Sequence, residues 1–441
     1  LRHRNFALLW AGQSVSWFGD SLYFVSLLWL VQEMTGSRAL LGVVAACRTV
    51  PALLGVFAGV VVDRVDRRRV MLAADIVRAA IVGAVPLMML AGILQPWHIP
   101  VIAFLLAAAG VPFNPAQQAV LPVVVDREDL AQANSLLTIS QQAANVVGFA
   151  AAGLLIAAVG VGPMFGIDAL TFLVSVLAIW AMHLTSAESN PALARLGAGD
   201  REETRTGRPA PAGRRWMADF LEGLRFIRNQ RAMVIVIPLV MLLNFLVAPF
   251  SVLLTAWVKD VLGQGAGVFG LLETAITAGM IAGSLVVGVA AARARRSTLA
   301  LGALGGFGIG ALIFAASRSI TLTVIIMAAM GCANAMANIV FVTWAQTIVP
   351  RPMMGRVFGT LGTLSQTVSP VGQTIAGFAG QVLALPLIFG GSGAVLLGVA
   401  AIYAAVPVLR GAFNLIETDL RTGVPQMADP ETGKQVAATE E

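Results

Sequence analysis

Apolar residues run along this chain in blocks of helix length, separated by short polar stretches. A bilayer core takes about 20 apolar residues per helix. Twelve blocks approach that length: 6–31, 40–62, 70–94, 98–121, 133–159, 162–184, 232–257, 266–292, 297–316, 320–345, 355–382 and 385–409. The pattern predicts an all-α membrane protein with twelve transmembrane helices. Two blocks are interrupted. Pro112, Asn114, Pro115 and Pro122 break the fourth, and a polar Gln-Ala-Asn-Ser segment opens the fifth. Lipid tolerates such breaks where neighbouring helices or a water-filled cavity satisfy the freed backbone groups.

Composition agrees: 58% of residues are apolar and 12% charged, far from the balance of a soluble domain. The charges are distributed by side. Every second loop is basic: Arg2 and Arg4; Arg64, Arg67, Arg68 and Arg69; Arg195 through Arg231; Arg293, Arg295 and Arg296; then Arg351 and Arg356. The intervening loops hold only Arg38, Lys259 and Arg318. Basic loops stay in the cytoplasm, so both termini of this multi-pass protein are expected there; the alanine-, valine- and arginine-heavy composition points to a GC-rich bacterial genome, hence to a bacterial cytoplasmic membrane. The net charge of +6 then reports orientation. Nucleic acid is excluded as a partner, because the basic residues are not gathered with aromatic or motif support. Cys47 and Cys332 lie inside predicted helices and His3, His98 and His183 lie apart, so no metal site is expected. No nucleophile triad or phosphate-cradling loop is found either, and the chain is not read as an enzyme.

The two halves repeat. Adding 228 carries Trp29 onto Trp257, Gly42 onto Gly270, Gly55 onto Gly283, Arg67 and Arg68 onto Arg295 and Arg296, and Pro122 onto Pro350. Gln141 meets Gln366 after a three-residue slip. Six helices per copy is an even number, so both copies enter the membrane the same way, as two parallel six-helix repeats. Residues 1–184 and 232–410 are read as these repeats, and 411–441 as a disordered tail. The segment 185–231 is a cytoplasmic linker, polar at first and disordered by composition. Its second part is amphipathic. Trp216, Phe220, Leu224 and Ile227 recur at helical spacing opposite Asp219, Glu222, Arg225 and Arg228, which predicts a helix at about 215–230 on the membrane surface.

Charges inside membrane helices are costly and mark function. At 1.5 Å per residue, Asp20 and Arg48 fall roughly 12–15 Å from the outer ends of their helices, and Asp168 and Glu273 roughly 9–11 Å. Convergence on one cavity is the economical arrangement, since an unpaired charge facing lipid is destabilising. Asp20, Arg48 and Glu273 are the candidates for proton or substrate coupling. A carboxylate shielded from water holds a proton more readily, and a neighbouring guanidinium releases it, so Arg48 beside Asp20 would form a switchable pair. The competing reading is a static ion pair between the first two helices. Asp168, near a helix start, is read as a structural charge meeting the helix dipole. A second group, Gly59, Asp63, Arg64, Arg67 and Arg68 with Asp75 and Arg78, reads as a cytoplasmic gate, a latch of ion pairs between the halves. Here the competing reading is arginine that fixes topology.

Gly59 to Arg69 resembles the loop signature of the major facilitator superfamily, Gly-x-x-x-Asp-Arg-x-Gly-Arg-Arg, with Asp66 where glycine is usual. Further matches are Gly19-Asp20, Thr35-Gly36-Ser37, Arg48-x-x-Pro51, Ala74-Asp75-x-x-Arg78, Asn114-Pro115-Ala116, Leu121-Pro122, Ala133-Asn134, Ile167-Asp168-Ala169 and Glu222 to Phe226. From Arg4 to Arg410 the chain resembles the bacterial branch that contains enterobactin-exporter-like and macrolide-efflux-like permeases. The resemblance implies the major facilitator fold, a monomer working by alternating access, and export driven by the proton-motive force with no other cofactor. Two features depart from the drug-antiporter pattern. The fourth helix has no arginine, only Asn114 and Gln117, and the fifth helix's Gly-Pro signature is reduced to Gly148-Phe149 with Gly153.

The remaining cavity candidates are Trp17, Phe24, Phe113, Asn114, Gln117, Gln141, Asn145, Asn244, Phe245, Asn334, Asn338 and Gln366. A wall of aromatic and amide groups with few fixed charges suits a small but bulky amphipathic substrate: a drug, an antibiotic, a natural product or a siderophore. An importer or a lipid translocator on the same fold is the alternative.

Overall fold

The computed structural model of the chain describes residues 4–55, 62, 65–183, 212–290 and 296–406. Gly59, Asp63, Arg64, the linker before Ala212, the side chains of Trp216, Asp219 and Gln366, and the tail beyond Val406 lie outside them. Among the described residues every regular element is helical. The first repeat comprises α1 (Arg4–Thr35), α2 (Arg38–Thr49), α3 (Arg67–Leu90), α4 (His98–Gly110), α5 (Phe113–Val124), α6 (Leu130–Val159) and α7 (Gly162–Ala181). Helix α8 (Ala212–Asn229) precedes the second repeat. That repeat comprises α9 (Arg231–Ala256), α10 (Ala266–Ala290), α11 (Arg296–Ala316), α12 (Ile320–Ile348), α13 (Met354–Val382) and α14 (Leu385–Ala405).

Among the described residues, ten spans are long and apolar enough to cross a membrane, with α4 and α5 counted as one. The fourth block is interrupted at Val111 and Pro112, because proline has no N–H to continue the helix. The two spans outside that set are α2 and α13. Helix α2 passes into a 3₁₀ turn at Val50–Leu54, where Pro51 withdraws a donor. Helix α13 has 29 residues and a high content of hydroxyl side chains. Thr360, Thr363, Thr367 and Thr374 each donate to the carbonyl four residues back, which satisfies those hydroxyls without water.

The packing follows the repeat. Helix α3 lies on α7 as α11 lies on α14, α1 on α6 as α9 on α13, and α2 on α4 as α10 on α12. The halves meet through two equivalent pairs, α2 with α13 and α6 with α10. Glycine makes both close: a Cβ on Gly42 would sit 2.7 Å from the Gln373 carbonyl oxygen and 2.9 Å from Gly377 Cα. A Cβ on Gly270 would sit 2.9 Å from Gly153 Cα. No side chain fits at such distances, so the helices approach backbone to backbone.

Helix α8 covers the region predicted as an interfacial helix, but it docks on protein. Gly223 and Ile227 are buried while Leu221 and Leu224 are exposed. A Cβ on Gly223 would meet the Arg356 carbonyl oxygen at 2.8 Å, Thr360 Oγ1 donates to the Phe220 carbonyl at 3.3 Å, and Arg356 pairs with Glu222 at 2.7 Å.

Candidate functional site

Helix α1 presents Gln13, Trp17, Asp20 and Phe24 at spacings of three and four, which places them on one face. That face walls a cavity of about 720 Å³. Arg48 of α2, Arg78 of α3, Phe113 and Asn114 of α5, Gln141, Asn145 and Phe149 of α6, and Glu273 of α10 complete much of the wall. Of the cavity candidates, Trp17, Phe24, Phe113, Asn114, Gln141 and Asn145 line it. Gln117 is buried nearby but does not line it. Asn244, Asn334 and Asn338 do not line it either. The cavity sits against the first repeat, and among the described residues Glu273 alone enters from the second. Asn244 instead donates to Val240 on its own helix, at 3.0 Å. Phe245 packs beside Gly372.

Asp20 does not pair with Arg48. Its Oδ1 accepts from Arg78 Nη2 at 2.8 Å, and Arg78 Nη1 also reaches Asp75 Oδ1 at 3.5 Å. The expected cytoplasmic position of Asp75 and Arg78 is corrected with it. Arg78 lies eleven residues into α3, about 16 Å along its axis and near the middle of the helix. Asp75 is fully buried. Its Oδ2 accepts from Ser175 at 2.6 Å, and Ser175 in turn accepts from Gln13 Nε2 at 3.0 Å. The guanidinium of Arg78 lies over the Phe172 ring, 4.0 Å from its centroid, a contact worth about 0.5–2 kcal/mol. Gln13 and Ser175 had no sequence signal of their own beyond Gln13 standing two turns before Asp20.

Asp168 is fully buried and is the seventh residue of α7, too deep to cap that helix. Thr171 Oγ1 donates to its carbonyl at 2.8 Å and to its Oδ1 at 3.3 Å. A Cβ on Gly19 would stand 2.5 Å from the same Oδ1, so the Gly19-Asp20 pair lets α1 close on α7. Asp168 acts electrostatically on both Asp20 and Arg78. Arg48 stands apart from this cluster. It lies over the Phe24 ring at 4.3 Å, within electrostatic reach of Tyr23, Asp20 and Glu273. It also borders a second cavity of about 310 Å³ that reaches Ser251 and Gln373 of the other repeat.

The described members of the expected gate motif do not join the halves. Arg67 donates to the Ala119 carbonyl at 3.0 Å, and Arg68 to Ile179 at 3.1 Å and to Trp180. The Arg68 bonds satisfy carbonyls in the last turn of α7, where a cation also meets the helix dipole, while Arg67 reaches a carbonyl inside α5. All stay within the first repeat. Among the described residues, polar contacts between halves occur within the helices, from Thr49 to Gln373 at 3.0 Å and from Thr274 to the Val146 carbonyl at 3.3 Å, and at the other end. Arg38 pairs with Asp260 at 2.8 Å and donates to the Gly380 carbonyl at 2.7 Å. Lys259 Nζ donates to the Gln32 carbonyl at 3.2 Å, and Gln381 bonds Ser37 Oγ at 2.9 Å.

The family model described as transmembrane secretion effector matches residues 1–429 of this chain. A multidrug efflux pump, Tap, of Mycolicibacterium fortuitum is 28% identical over 422 residues, covering 92% of this chain and 95% of that protein. Macrolide efflux protein A of Streptococcus pyogenes is 23% identical over 371 residues, covering 83% and 87%. Among solved structures, a mutant of the nucleoside transporter NupG superposes with a TM-score of 0.69 at 12% identity, over 93% of this chain and 99% of that one. A bacterial homologue of the iron transporter ferroportin, solved in an inward-facing state, gives 0.64 at 17% identity, over 91% and 99%. At such identities the structural likeness is one of fold.

Proposed function

The chain belongs to the transmembrane secretion effector family of multi-pass membrane transporters, and from that membership we propose that it exports small amphipathic molecules, drugs or natural products, by alternating access. The cavity carries this reading. Its volume of about 720 Å³ is that of a drug-sized pocket. Trp17, Phe24, Phe113 and Phe149 offer apolar faces, amides offer adaptable hydrogen bonds, and Asp20, Glu273 and Arg48 are ionisable groups that orient a polar group. The likeness to multidrug and macrolide efflux proteins supports the same substrate class.

The driving reaction is proton antiport through Asp20. This carboxylate is open to the cavity, with 35% of its side chain exposed, while its Oδ1 holds Arg78. A proton on Asp20 weakens that pair, and a cationic substrate competes for the same oxygen, so the two occupy the site in turn. No cofactor enters. One charge crossing the membrane contributes about 2.3 kcal/mol per 100 mV. The arginine-rich loops put both termini in the cytoplasm.

Everted membrane vesicles loaded with a pH gradient test this with ethidium and a panel of macrolides. Wild type should accumulate at least one of them when the lumen is acidic, and Asp20→Asn should lose the response to the gradient. Gradient-driven accumulation that survives Asp20→Asn would remove Asp20 from coupling. Transport of none of the panel would remove the substrate class.

A further inference from the structure

Three carboxyls, on Asp20, Asp75 and Asp168, surround the guanidinium of Arg78, and the three are not equivalent. Asp20 faces the cavity and holds the 2.8 Å bond to Arg78. Asp75 is buried but satisfied by Ser175 and Arg78. Asp168 is buried, its Oδ1 accepts from Thr171, and its Oδ2 has no hydrogen-bond partner among the described residues. Nothing in the repeat architecture requires these charges. The positions 228 later than Asp20, Asp75 and Arg78 are Ala248, Ala303 and Gly306, and the second repeat packs the same helices without them.

Building on the proton-coupled reading above, we propose that Asp168 is a buried proton site that exchanges its proton with Asp20, with Arg78 following the negative charge between them. The observed pairing of Asp20 with Arg78 corresponds to the state with the proton on Asp168 Oδ2 and Asp20 ionised. In the other state the O–H bond on Asp168 breaks and one forms on Asp20. Arg78 then turns to Asp168, and Asp20 opens its proton to the cavity. Protons and charge balance in both states: Arg78 stays cationic, Asp75 keeps its bonds to Ser175 and Arg78, and one proton serves two carboxyls. The groups acting on Asp168 come from each helix packed around it. They are Asp20 and Tyr23 of α1, Arg78 of α3, and Thr171 on α7 itself, while Asp75 of α3 acts on Asp20 and Arg78, and Arg48 of α2 acts on Tyr23. The Tyr23 hydroxyl is buried and also lacks a partner among the described residues. Close approach of α1 at Gly19 brings the two carboxyl-bearing segments together, since a Cβ there would collide with Asp168 Oδ1 at 2.5 Å.

Infrared difference spectroscopy of the purified full chain in lipid bilayers tests this without any substrate. Wild type should show the carbonyl stretch of a protonated, water-shielded carboxyl; Asp168→Asn should abolish the band, and Asp75→Asn should leave it in place. A band that survives Asp168→Asn, or disappears only with Asp75→Asn, overturns the assignment. Should Asp168→Asn fail to accumulate in the membrane, Thr171→Val decides the matter. Losing the hydroxyl bonded to Asp168 shifts the band if that residue holds the proton and leaves it unmoved otherwise. Ethidium accumulation in the same bilayers separates this proposal from the one it rests on. A wild type indifferent to the pH gradient would defeat proton coupling, whereas the band alone decides where the proton resides.

Discussion

Arg78 governs the charge balance of the first repeat. Its side chain is 15% exposed and bonds two carboxylates while stacking on Phe172. Removing one partner of a buried charge set leaves the others uncompensated, which costs roughly 3–5 kcal/mol. Arg78→Met should therefore lower the thermal unfolding midpoint of the purified protein well below that of Arg48→Met. Arg48 has a ring contact with Phe24 and no ion pair within bonding distance among the described residues. Arg78→Lys should recover only part of the loss, because an ammonium cannot span Asp20 and Asp75 with a planar fork. Equal midpoints for the two methionine variants would show that the cluster is not a unit. The residue types in this site were legible from the sequence, since a charge inside an apolar block stands out. Their pairing was not. Arg48 and Arg78 are both arginines near the membrane centre, and one-dimensional depth does not say which of them faces Asp20.

At the scale of elements, two helix pairs close the molecule. Gly42 against Gly377 and Gly153 against Gly270 bring α2 to α13 and α6 to α10 at backbone contact. A valine at position 42 would need space that the Gln373 carbonyl, 2.7 Å from the new Cβ, already fills. Backbone does not yield as a flexible side chain does, so Gly42→Val should part α2 from α13. With Phe24→Cys added in an otherwise cysteine-free background, the thiol should then react faster with a membrane-impermeant maleimide supplied outside. An unchanged rate would mean that this contact does not hold the outer side shut. The helices themselves were visible in the sequence because apolar length and turn residues are local properties. The break between α4 and α5 followed from Pro112. The docking of α8 on α13 did not follow from its pattern, because an amphipathic face tells that something covers it and not whether lipid or protein does.

Among the described residues, polar contacts also join the repeats at the end expected to face outward. Arg38, Asp260, Lys259, Gln32, Ser37, Gly380 and Gln381 form one band of contacts there. The Arg38–Asp260 pair is partly exposed, at 25% and 34%, so its coupling is at most about 1 kcal/mol. That still changes a two-state ratio roughly fivefold. Asp260→Asn should raise the outward-open fraction, read as longer distances between spin labels on the outer ends of α1 and α9. Exchanging the charges, with Arg38→Asp and Asp260→Arg together, should bring the distances back. If the double exchange behaves like the single variant, the pair is not the latch.

The sequence by itself determined twelve spans, a duplication in fixed register, the sidedness of the arginines and the set of membrane-buried charges. These follow from segment length, composition and spacing, which the chain carries locally. Tertiary structure decided that Asp20 meets Arg78, that Asp168 lies against Gly19, that the cavity sits against the first repeat, and that Arg67 and Arg68 bond helix carbonyls of their own repeat. Each successive residue turns about 100° around a helix axis, so a small rotation or slide of one helix exchanges one partner for another. Only the packing of neighbouring helices, set by glycine contacts and buried aromatic rings, fixes that rotation.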